Sequence, residues 1–148
     1  MTKPFSLQIV LDLLQTRTDE ATRQLARLIA AEQDAQRKLD MLKGYRDDYF
    51  ARFRQATQNG LRQADLLNYQ EFLNRLDEAI QQQQHAVALQ RQHTAAGQLE
   101  WQRQRAKHKA IDALADRHQA NEARLELRQE QKNQDEFAAR VGDDEHTR

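Results

Sequence analysis

The sequence predicts an all-α fold, in which two long helices form an antiparallel coiled coil with the second helix longer and overhanging. Three observations predict it. The composition is rich in helix formers and nearly free of breakers. Apolar residues recur at alternating steps of three and four on both sides of a single Asn-Gly pair. That pair is the one strong turn signal between Pro4 and the C-terminal tail.

Of 148 residues, 31% are charged and 39% hydrophobic, with 4 Gly, 1 Pro and no Cys. Ala, Leu, Glu, Arg and Gln dominate, and all favour helix. So few apolar residues cannot fill a broad core, but they fill a narrow stripe between two helices. Disorder is the competing reading; the zero net charge and the regular apolar spacing argue against it. Lys+Arg and Asp+Glu are equal at 23 each, so the basic excess of a nucleic-acid binder is missing and no nucleic-acid partner is expected. The lack of Cys removes disulfides, thiol chemistry and Cys-based zinc sites. No apolar run is long enough to span a bilayer, and no signal-peptide pattern opens the chain. The expected location is cytoplasmic, unless a partner holds the chain at a membrane.

Helix one is expected over about 5–57. Pro4 stands where a helix start tolerates it. The stripe runs Leu7, Leu11, Leu14, Thr18, Ala21, Leu25, Leu28, Glu32, Ala35, Leu39, Leu42, Arg46, Tyr49, Phe53 and Ala56. Twelve of these fifteen are apolar or aromatic, which is a heptad seam. A turn is expected over about 58–65, because Asn59-Gly60 favours left-handed backbone and Asp65 is a suitable N-cap. Helix two is expected over about 66–141. Its seam is Tyr69, Leu73, Leu76, Ile80, Gln83, Val87, Gln90, Thr94, Gly97, Trp101, Gln104, His108, Ile111 and Ala115. The charged residues 142–148 read as a frayed tail. The whole chain, 1–148, is thus expected to be one coiled-coil hairpin.

If the helices pair about the turn, facing residue numbers add to about 122. Tyr69 then meets Phe53, Ile80 meets Leu42, Val87 meets Ala35, Trp101 meets Ala21 and Ile111 meets Leu11. Gln90 falls opposite Glu32 and Gln104 opposite Thr18, so polar layers coincide. Arg46 opposite Leu76 is the poor fit. The coiled-coil core is expected to centre on Leu25, Leu28, Leu39, Leu42, Tyr49, Phe53, Tyr69, Leu73, Ile80, Trp101 and Ile111. Helix two outlasts helix one, so residues from about His118 to Arg140 have no intrachain partner, and they include Leu125, Leu127 and Phe137.

No catalytic constellation is legible. There is no Gly-rich phosphate loop, GxSxG or HExxH. His85, His93, His108, His118 and His146 form no i, i+3 or i, i+4 ligand pair, so no metal is expected. The carboxylates interleave with Arg and Lys as a solvated face. A two-helix coil offers no cleft that excludes water, so no enzyme activity, cofactor or small-molecule substrate is expected.

Three apolar features exceed what a seam needs. Phe5, Leu7, Ile9, Val10, Leu11, Leu13 and Leu14 are apolar on more than one face. They either thicken the end of the coil or insert into a partner. Phe72, with Leu76, Ala79 and Ala86, makes a strip near the bend. There an aromatic one step off the seam either folds over the seam edge or anchors a partner. The third is the overhang, with Phe137 near its end, which either frays or docks.

The ordered set of these residues resembles the FliJ family, the small coiled-coil component of the bacterial flagellar type III export apparatus. The resemblance covers nearly the whole chain. It rests on Phe5, Leu7, Val10, Leu11 and Leu13, then on Leu39, Leu42, Tyr45 and Tyr49 before the Asn59-Gly60 break. It continues in Leu67, Tyr69, Phe72, Leu76, Ala79, Ile80 and Gln83, and closes with Trp101 and the run Asp135 to Ala138. It implies a stalk that docks in the ring of the flagellar export ATPase by the end holding both termini. The stalk would contact the cytoplasmic domain of the membrane export gate and assist export chaperones. Carried over, gate binding falls on Phe72, Leu76, Ala79 and Gln83. ATPase-ring binding falls on Phe5, Leu7, Val10, Leu11, Leu14, Leu125 and Phe137. The implied location is cytoplasmic, peripheral at the inner face of the plasma membrane through partners. The alternatives are a structural or tethering coiled coil, the stalk of a virulence type III secretion system, or a helix that inhibits the ATPase.

Overall fold

The computed structural model describes the backbone of Pro4–His146 and the side chains of Leu7–Glu145. Two helices, α1 (Pro4–Gln58) and α2 (Gln63–His146), pack against each other as an antiparallel coiled coil, and no strand is present among the described residues. The Phe5 side chain, Thr147 and Arg148 lie outside the described residues.

The connection is tighter than the turn over 58–65 that the sequence suggests. Gly60 takes φ of 84°, the left-handed conformation that ends α1. The Asn59 amide donates to the Gln55 carbonyl and the Gly60 amide to the Thr57 carbonyl. The Leu66 amide donates to the Arg62 carbonyl, so α2 begins at Gln63 with Arg62 in the cap position. Asp65 is therefore not the cap. It sits in the first turn, where its charge still complements the helix dipole. At the other end α2 does not stop near Val141. It continues through Gly142 to His146, because Gly142 lacks the positive φ of a helix terminator and no Pro follows. A glycine inside a helix costs about 1 kcal/mol, which weakens the helix without ending it.

Packing divides the chain into two compact units. One spans Asp19–Gln102; the other joins the residues up to Thr18 with those from Arg103 onward. In the first, burial follows the three-four stripe. Ala35, Leu39, Ile80 and Val87 form the buried cluster, and Leu42 packs against it. The cross-helix contacts fall on or close to the expected register. The Phe53 and Tyr69 rings lie 5.6 Å apart, and the Thr94 hydroxyl is 3.3 Å from the Leu28 carbonyl it donates to. Trp101 is accommodated by small neighbours, its Nε1 donating to Thr22 Oγ1 at 2.9 Å. Gly97 lets Leu28 come close: a Cβ there would sit 2.5 Å from Leu28 Cδ1. The polar position Glu32 meets Arg91, with 3.7 Å between its Oε1 and Arg91 Nε.

Arg46 shows why a charged residue is tolerated on the seam. Its guanidinium pairs with Asp77, one residue beyond the Leu76 it was expected to face. Hydrogen bonding and attraction to Asp77 push the Arg46 pKa up, so it stays charged at any ordinary pH.

In the second unit Leu14 is buried, and the Thr18 hydroxyl donates to the Leu14 carbonyl at 2.8 Å. Leu7 and Leu11 face Asp112 and Ala115 across a cavity of about 170 Å³, also lined by Asp116, His118 and Gln119. Beyond Glu122 the cover ends, and every residue from 123 to 141 is exposed.

Candidate partner-binding surfaces

The strip near the bend is built by helix spacing. Phe72, Leu76, Ala79 and Gln83 recur at steps of four, three and four along one face of α2. Four rings gather at its bend-proximal end. Tyr49 lies 5.2 Å from Tyr69 and 4.2 Å from Phe72, and the rings are tilted rather than stacked flat. Such offset contacts contribute about 0.5–1.5 kcal/mol each beyond burial. Phe72 thus leans on the seam edge through Tyr49 and still leaves 43% of its surface in solvent. Leu76 and Ala79 are half-buried beside it.

Gln83 behaves differently from a free surface contact. Its Nε2 donates to the Ala35 carbonyl at 2.9 Å, so the amide is turned into the coil. Outside the expected strip, Met41 and Tyr45 are large and exposed, about two helical turns and one turn before Tyr49. The signal for them was the four-residue spacing off the seam, which a search confined to seam positions passes over.

The apolar N-terminal run separates into two faces. Leu7 and Leu11 are half-buried against α2, and Leu14, only 7% exposed, belongs to the core. Leu14 is therefore withdrawn as a surface contact: its side chain faces the intrachain seam. Val10 remains exposed, and so do Ile9 and Leu13, which the expected binding set omitted. Leu125 and Phe137, at 62% and 69% exposure, are among the most open large apolar residues described.

No group of three or more His, Cys, Asp or Glu among the described residues could hold a metal ion. No helix among them is long and apolar enough to cross a membrane. The surfaces available are apolar patches on helix faces, suited to protein contacts.

Comparison with known proteins agrees with the resemblance. The family model described as Flagellar FliJ protein matches residues 2–143. The Flagellar FliJ protein of Salmonella typhi is 29% identical over 136 residues, covering 92% of each chain. The Flagellar FliJ protein of Escherichia coli (strain K12) is 26% identical over 136 residues, again covering 92% of each. A match that runs through both helices, the Asn59-Gly60 bend and the Phe72 strip places the chain in a family: it belongs to the FliJ family of flagellar proteins.

Proposed function

We propose that this protein is the non-enzymatic stalk of the bacterial flagellar protein export apparatus. It docks in the export ATPase ring, links the ring to the membrane export gate and assists export chaperones. The observation that carries this reading is the half-exposed Phe72, braced by Tyr49 beside Leu76 and Ala79, in a chain of the FliJ family. An aromatic held rigid at a surface loses little entropy when a partner covers it, so it anchors binding well. Phe72, Leu76 and Ala79 form the gate-binding face, with Gln83 setting its far edge. Phe5, Leu7, Val10, Leu11, Leu125 and Phe137 form the ring-binding end, where Val10, Leu125 and Phe137 offer the exposed apolar area.

The protein works by contact. It shifts the ATPase ring by binding one ring state better than another. It resides in the cytoplasm and reaches the inner face of the plasma membrane through its partners. Two relatives named as flagellar proteins support this reading over a virulence stalk or a passive tether.

Pull-down with the gate's cytoplasmic domain tests the gate face. Phe72→Ala is expected to keep its helicity and lose most of the gate binding. Equal capture of wild type and variant removes the assignment. Turnover of the purified ATPase with and without the chain tests the ring contact. A rise is expected; a fall would make the chain an inhibitor.

A further inference from the structure

Beyond Glu122, α2 carries a second apolar stripe that the intrachain seam does not use. The seam would continue through Leu125, Gln129, Lys132 and Glu136, and it turns polar after Leu125. Four apolar residues lie elsewhere: Ala123, Leu127, Phe137 and Val141, with the polar Glu130 and Gln134 between them, again at steps of four and three. At 100° per residue this stripe lies about 150° around the helix from the seam. All six positions are exposed.

We infer that this stripe pairs with the same stripe of a second copy, in antiparallel orientation. The pairing brings Ala123 against Val141 of the second copy, Leu127 against its Phe137, and Glu130 against its Gln134. Small meets large, and the one carboxylate meets an amide that can donate to it. A parallel pair would instead set Glu130 on Glu130, two like charges in the seam.

The flanking residues discriminate in the same direction. In antiparallel coils the residues bordering the seam on one side face their own kind in the partner. On one border Glu126 meets Arg140 of the second copy, twice per dimer, and Asn133 meets Asn133. On the other, Arg124 meets Ala138 and Gln131 meets Gln131. No like-charged pair arises on either border. The contact shares Phe137 with the proposed ring-binding end, but it needs neither the ATPase nor the gate and is tested on the chain alone.

The stripe covers fewer than three heptads, and two of its six positions are polar, so the association is weak. Sedimentation velocity of the full chain over a concentration series is the test. Wild type is expected to shift from monomer toward dimer as concentration rises. Phe137→Asp should stay monomeric with unchanged helicity. Glu126→Arg should weaken association roughly tenfold, by replacing two attractions with two repulsions. The double variant Glu126→Arg, Arg140→Glu should restore it. A wild type that remains monomeric to about 1 mM overturns the inference. So does association that persists in Phe137→Asp, or a double variant no better than the single.

Discussion

Two glycines in similar helical backbone are expected to respond oppositely to the same substitution. Ala is favoured over Gly inside a helix by about 1 kcal/mol. At Gly44 nothing lies within 4 Å of an added Cβ, so Gly44→Ala should realise that gain in full. At Gly97 the added Cβ would lie 2.5 Å from Leu28 Cδ1 and 3.8 Å from Leu25 Cδ1. Carbon atoms pack at about 3.5–4.0 Å, so Leu28 must retreat by about an ångström. Overpacking of this kind costs about 1–3 kcal/mol, and the low end applies because a Leu methyl can turn aside. The net at Gly97 is then a loss of about 0–1 kcal/mol, and the two variants differ by about 1–2 kcal/mol. Urea unfolding followed by circular dichroism measures both, through the midpoint at constant slope. If Gly97→Ala stabilises as much as Gly44→Ala, the helices do not approach this closely at Leu28, and the packing argument fails there.

Other outcomes follow from the same contacts. Phe72→Ala should lower stability by about 1 kcal/mol through loss of the Tyr49 contact, read in the same urea assay, separately from its effect on gate capture. Hydrogen exchange should be fastest in residues 123–141 and slowest around Ala35, Leu39, Ile80 and Val87, and addition of the ATPase ring should slow the first group. Asp77→Asn and Arg46→Gln should each lower the unfolding midpoint, with the double variant no worse than the worse single one, and added salt should shrink all three effects. Because the pairing raises the Arg46 pKa, its stabilisation is complete below arginine's ordinary range and declines only as pH rises through the raised value. A stability profile from pH 5 to 9 should carry no step from Arg46 itself.

Most of the seam was legible in the sequence, since burial between two long helices leaves a three-four period that few other arrangements leave. Thr18, Glu32 and Gln83 occupy seam positions despite their polarity, and each is half-buried where the spacing puts it. The register was legible because large residues needed small partners, as Trp101 beside Thr22 shows. What spacing could not reveal was direction within a position. Gln83 reads as surface or seam, and only its bond to the Ala35 carbonyl decides. Arg46 reads as a misfit until Asp77, one residue off the facing position, is seen beside it. Leu14, by contrast, stands on the seam by its spacing alone, and it is buried there while its neighbours Leu13 and Val10 stay exposed. The extent of α2 was hidden because Gly142 and the acidic residues after it look like a terminus, although neither forbids helix.

The account rests on the two stripes meeting in one register, which sets Phe72 against Tyr49 and leaves the far stretch of α2 uncovered. The chain has no native cysteine, so paired cysteines report that register directly. Ala35→Cys with Val87→Cys joins two residues of the buried cluster, and Ala35→Cys with Thr94→Cys samples a slip of one heptad. Mild oxidation should close an intrachain disulfide in the first pair and leave the second reduced. Closure of the second pair in preference to the first would contradict the account.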